Sequence, residues 1–107
     1  MSNYEAGRRL EYRVRNMFQK QGFVVIRAAQ SKPIDLVCIK NGKPVLIECK
    51  AGRSYMGKER REAILALSRQ AGAPIILAKR RKRRVELLNL ADGRALDPEN
   101  LGGVLTA

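Results

Sequence analysis

Two acidic residues stand inside apolar runs where a charge is costly: Asp35 in Ile34-Asp35-Leu36-Val37 and Glu48 in Leu46-Ile47-Glu48-Cys49-Lys50. A buried carboxylate needs a partner. Asn41-Gly42 between two apolar runs is a strong hairpin signal. A two-residue turn there pairs Lys40 with Lys43, Cys38 with Val45 and Leu36 with Ile47, which sets Asp35 across from Glu48. Directly opposed side chains lie roughly 5 Å apart, and like charges there destabilise a sheet. Lys50 follows Glu48 by two residues and shares its face. Pro44 cannot donate to the ladder and favours a bulge in this register.

Two readings compete for the three residues. One is a structural ion cluster. The other is a metal centre, because one lysine does not balance two carboxylates whereas a divalent cation does. Oxygen ligands without histidine favour Mg²⁺, with Mn²⁺ able to substitute. Such an ion polarises a phosphoryl oxygen and activates water, and Lys50 would stabilise the developing charge or hold the attacking water.

The rest of the sequence narrows the chemistry. The 107 residues suffice for one domain, a core over 1–90 with a tail over 91–107 of uncertain structure. With no histidine, Ser–His and Cys–His nucleophiles are excluded, as are the common zinc sites. Lys and Arg number 22 against 10 Asp and Glu, a net charge of +12. That excess favours a polyanionic partner, most often nucleic acid. Lys79-Arg80-Arg81-Lys82-Arg83-Arg84 reads as a phosphate clamp or, more blandly, as a solvated hairpin tip. Arg8, Arg9, Arg13 and Arg15 extend the basic character, with Arg9 and Arg13 on one face. No apolar run reaches the ~20 residues of a membrane span, and the charged N-terminus is no secretory signal. In the expected register a Cys38–Cys49 disulfide would have to bridge roughly 13 Å, so both thiols are expected free, in a reducing cytoplasm.

The elements that must position these residues follow from periodicity. Ser2 and Glu5 read as a capping box, Leu10, Val14, Met17 and Gln21 as one face of a first helix with Phe18 beside it, and Gly22 as its stop. Phe23–Ala29, apolar apart from Arg27, is expected as a strand covered on both faces. Ile34–Lys40 and Val45–Lys50 form the hairpin. A second helix over Gly57–Ala71 shows Ala63, Ile64, Leu67 and Ala71 on one side. Strands over Pro74–Lys79 and Val85–Leu90 follow. A helix between the third and fourth strands implies a right-handed parallel crossover. The fold class is α/β, order αβββαββ, with a mixed five-stranded sheet flanked by helices.

Pro33-Ile34-Asp35 followed by Glu48-Cys49-Lys50 resembles the PD-(D/E)xK nuclease signature and its restriction-endonuclease-like fold. With Gly7-x-x-x-Glu11 on the first helix and Gly22-Phe23-Val24-Val25-Ile26-Arg27, the chain more closely resembles the archaeal-type Holliday junction resolvases over roughly residues 5–80. The resemblance implies a homodimeric, Mg²⁺-dependent, structure-selective endonuclease. Such an enzyme resolves four-way DNA junctions by symmetric paired nicks, with no small-molecule substrate and no membrane, on nucleoid or viral DNA. It implies Asp35, Glu48 and Glu11 as metal ligands and Lys50 as the catalytic amine. Ser31 joins them as a site residue, and Arg27, Lys32 and Lys79 become DNA contacts beside Arg9, Arg80, Arg81 and Lys82. Tyr12 departs from the pattern, standing where a basic residue is expected. Rival functions are another small nuclease of the same signature, or a basic nucleic-acid-binding module in which the acids are structural.

Overall fold

The structure, a computed structural model, describes residues 3–28, 33–52 and 56–105. The Ser2 cap, Ser31 and Lys32 lie outside the described residues. Helix α1 (Asn3–Lys20) is followed by β1 (Val24–Arg27), β2 (Leu36–Lys40) and β3 (Lys43–Lys50). Then come α2 (Lys58–Ala71), β4 (Ile75–Arg81), β5 (Arg84–Asn89) and a short 3₁₀ turn, η1 (Leu101–Leu105). The five strands lie side by side in chain order, antiparallel except for β3 and β4, which run parallel across the α2 crossover.

Strand alternation gives the sheet two apolar faces. Leu36, Cys38, Val45, Ile47, Ile76 and Ala78 meet the Leu10–Val14–Phe18 stripe of α1. On the other face Leu46, Ile75 and Leu77 meet Ile64 of α2, with Ile34 and Leu90 beside them. Gly22, at φ +86°, supplies the left-handed step that ends α1. The Phe23 ring then packs edge-on against Phe18, centroids 5.1 Å apart. Gly72 caps α2 in the same way, its φ 65° being accessible without a Cβ penalty.

The hairpin register is the expected one. Leu36 pairs with Ile47, Cys38 with Val45 and Lys40 with Lys43. Asn41 and Gly42 both take positive φ, 53° and 75°, as a type I′ turn requires. The expected bulge at Pro44 is absent: Pro44 pairs with Ile39 in an unbroken ladder.

Two expectations are corrected. β1 is a four-residue edge strand, paired only to β2, and it is not covered on both faces. Val25 packs against the α1-side core, while Val24 and Ile26 are 63% and 50% exposed. The reason is the position of α2, which sits over β4 and does not reach the β1 edge. The apolar face read for α2 also narrows: Ile64 is buried and Leu67 half-buried, but Ala63 and Ala71 are exposed.

The tail is docked. Leu101 is fully buried, and Ala95 bridges to Leu88. Gln21 makes the attachment: its Nε2 donates to the Pro98 carbonyl at 2.6 Å, and its Oε1 accepts from the Leu101 N–H at 2.7 Å. Gln21→Ala is expected to cost about 1–2 kcal/mol, read as a drop of roughly 4–16 °C in Tm. An unchanged Tm would mean that Leu101 burial alone holds the tail.

Candidate active site

Asp35 lies one residue before β2, yet the ladder reaches it. Its N–H donates to the Ile47 carbonyl at 3.0 Å, and its carbonyl accepts from the Ala28 N–H at 2.9 Å. Its Oδ2 accepts from the Cys49 N–H at 2.7 Å, which fixes the carboxylate against β3. The side chains of Asp35 and Glu48 share a hydrogen bond, so the two acids do meet.

Glu48 is the buried charged residue among those described, 3% exposed, on the face that α2 covers. Arg60, in the first turn of α2, donates through Nη2 to Glu48 Oε2 at 2.6 Å and to the Pro33 carbonyl at 3.0 Å. Burial pushes the Glu48 carboxyl up to about 7, and the hydrogen bond and negative charge of Asp35 push the same way, against the opposing pull of Arg60. Lys50 follows on the same face and pairs in register with Lys79 of β4, so both lysines mark one end of the sheet. Cys38 and Cys49 are free thiols. Burial raises Cys38 to about 12 and raises Cys49 as well, with Asp35 adding to the latter.

Glu11 approaches from α1, where it forms an ion pair with Arg27 Nε. Glu11, Arg27, Asp35 and the Cys49 position line one cavity of about 220 Å³, with Tyr4 and Arg8 at its rim. Asp35 is thus shared, facing Glu11 on one side and Glu48 on the other. Among the described residues no three acidic, Cys or His side chains gather closely enough to enclose a metal ion. Arginines hold two of the acids, Glu11 by Arg27 and Glu48 by Arg60. The Asp35–Glu48 pair nevertheless suits Mg²⁺, which takes one or two protein carboxylates and completes its shell with water and phosphate.

The basic residues form a separate surface. Lys82 and Arg83 make a two-residue turn between β4 and β5, with Arg81 paired to Arg84. Arg80 to Arg84 are all exposed. Arg9 and Arg80 line a common concavity beside α1. A larger groove of about 830 Å³ lies between this hairpin and the tail, walled by Arg81, Arg84, Glu86, Leu96 and Pro98 among others, and lined by none of Glu11, Asp35 and Glu48.

Sequence reasoning missed Arg60. Its signal was present: it lies four residues before Ile64, hence on the buried face of α2. It also missed the Cys49 backbone donor, which no residue type announces.

The Glu48 shift carries a stability prediction. Below about pH 4.5 the carboxyl is protonated in both states. Between there and pH 7 the unfolded chain releases a proton that the folded chain keeps, so stability falls as pH rises. Urea unfolding in EDTA is expected to show a loss on the order of 2–3 kcal/mol from pH 5 to 8. Asp35→Asn should flatten the decline and Arg60→Gln steepen it. A flat profile for the unmodified chain would show that the pair is not strained.

A family model described as archaeal Holliday junction resolvase (Hjc) matches residues 2–101. The chain belongs to the archaeal Holliday junction resolvase family. It is similar to a protein of Methanocaldococcus jannaschii named crossover junction endodeoxyribonuclease Hjc, with 33% identity over 78 residues. That match covers 70% of this chain and 59% of the relative's length. The fold is similar to the solved structure of Hjc, a Holliday junction resolvase from the archaeal hyperthermophile Archaeoglobus fulgidus. The TM-score is 0.69 at 23% identity, over 79% of this chain and 78% of that one. The family resemblance read from the residues, and the mixed five-stranded α/β fold, both stand. No helix among the described residues is long and apolar enough to cross a membrane.

Proposed function

We propose that the chain is a Mg²⁺-dependent endodeoxyribonuclease that resolves four-way DNA junctions by symmetric paired nicks, acting as a homodimer. The observation that carries this reading is the Asp35–Glu48 carboxylate pair, set side by side at one end of the sheet in a chain of this family. Asp35 and Glu48 would hold the cation. When bound, it supplies neutralising charge at the scissile phosphate and a water of lowered pKa.

This chain's own groups do the rest. Lys50 stabilises the charge developing on the phosphoryl oxygens or holds the attacking water. Glu11 closes the α1 side of the cavity as a third acid, in reach of Asp35. Arg27, already paired to Glu11, stands ready for a backbone phosphate, with Ser31 and Lys32 as further proposed site and DNA contacts. Lys79 and the exposed basic hairpin with Arg9 supply sequence-independent affinity.

The exposed Val24 and Ile26 support a second copy of the chain, because they continue a sheet face that α2 leaves bare. Two copies related by a twofold axis would present two acidic centres to a junction of matching symmetry. Two free cysteines fit a reducing cytoplasm.

The test is incubation of a labelled four-way junction and a matched linear duplex with Mg²⁺ or EDTA. Paired symmetric nicks confined to the junction and lost in EDTA are expected. Equal cutting of the duplex would discard junction selectivity. Binding without cutting in either Mg²⁺ or Mn²⁺ would discard the enzyme.

A further inference from the structure

Helix α1 has a concavity on each flank. The one holding Glu11 also reaches Asp35. Across the buried Leu10–Val14–Phe18 stripe, Ala6, Arg9, Leu10, Arg13 and Arg80 line a second concavity of about 200 Å³. Three arginines line this space, and no acidic residue does.

Two of these arginines are held in place. Arg13 Nη2 donates to the Arg83 carbonyl at 2.9 Å, and Arg80 Nε donates to the Lys82 carbonyl at 3.1 Å. Both acceptors belong to the two-residue turn of the β4–β5 hairpin, where Lys82 takes φ 57°. Each contact uses one of a guanidinium's five donors. The turn therefore orients the two side chains while leaving most of their hydrogen-bonding capacity unspent. Like charges gathered this closely repel, and the ligand that relieves them is an anion with several acceptor oxygens. Arginine pairs with phosphate through two parallel N–H···O bonds, which makes a phosphate group the best match to this lining.

We propose that this concavity seats one phosphodiester group of the substrate backbone, separate from the phosphate attacked at the acidic centre. The assignment rests on the DNA-cleaving role above and deepens it by fixing where the uncut part of the strand is held. The width of a helix with its side chains is about 10 Å, so α1 separates the two phosphates by about one to two nucleotide steps of a strand. The arm lies across α1, one phosphate on each flank. The β4–β5 hairpin then acts as a positioning device, because its turn aims Arg13 and Arg80.

The test is binding, measured in EDTA so that cutting plays no part. Four-way junctions carrying a single neutral methylphosphonate at successive positions are titrated by fluorescence anisotropy. The unmodified chain is expected to lose about 10-fold in affinity at one position about one to two nucleotides from the attacked phosphate. The Arg9→Gln/Arg80→Gln variant should bind the all-phosphate junction about 10-fold more weakly and lose nothing further at that position. Losses that multiply at every position would overturn the seat. Arg9→Gln alone, which leaves the turn contacts intact, should show the same non-additivity at smaller amplitude if the double variant melts early. Junction binding by the unmodified chain with no single sensitive position would remove the seat and leave the nuclease reading standing. Absence of cutting in Mg²⁺, with the sensitive position present, would remove the nuclease and leave the seat.

Discussion

Asp35→Asn and Glu48→Gln are each expected to lower junction cleavage in Mg²⁺ by about 10³-fold or more, with junction affinity in EDTA within about 2-fold of the unmodified chain. The two substitutions keep side-chain size and a carbonyl oxygen. In Asp35→Asn the amide oxygen can still accept from the Cys49 N–H, and in Glu48→Gln it can still accept from Arg60 Nη2. What is lost is the charge that attracts a divalent cation. Affinity survives because the exposed basic hairpin and Arg9 lie apart from the acids. Stability in EDTA at pH 8 should hold or rise, since each substitution ends a like-charge contact inside a buried pair. Loss of several kcal/mol in both variants, with cleavage falling only in proportion to unfolded protein, would make the acids a structural ion cluster.

Replacing Arg80, Arg81 and Lys82 together with Ala should weaken junction binding about 10²-fold near 0.1 M salt, and the log–log salt slope should become less steep by about 2–3. The three side chains are exposed and project from the end of a hairpin that keeps its Val85, Leu87 and Ala78 packing. Their removal therefore subtracts phosphate contacts without opening the core. Linear duplex should lose affinity by a similar factor, because a backbone contact carries no sequence. An unchanged slope would mean that the hairpin is only a solvated tip.

The carboxylate pair was legible in the sequence because a two-residue Asn-Gly turn has one register, and that register decides which residues oppose each other. Pro44 misled in the same stretch: the ladder accommodates it at the second position of β3, opposite Ile39, with no extra residue. Apolar runs report what a strand could bury, not what arrives to bury it. Phe23–Ala29 therefore read as covered, while the placement of α2 left Val24 and Ile26 bare. The partners of Arg60 and Gln21 were missed for a related reason. Each is a common polar residue whose role comes from partners far along the chain, Glu48 in one case and Leu101 in the other.

Strands laid down in chain order have a consequence for how the molecule assembles. The β2–β3 hairpin brings Asp35 and Glu48 together through local contacts, on the microsecond scale of hairpin closure. At that stage both carboxylates are still in water, where opposed charges of like sign cost little. The cost arises only when α2 closes the parallel crossover and strips solvent from Glu48, a slower step because it closes a longer loop. Arg60 rides on that same helix, so the guanidinium reaches Glu48 in the event that dehydrates it. The compensating charge and the dehydration are delivered by one element.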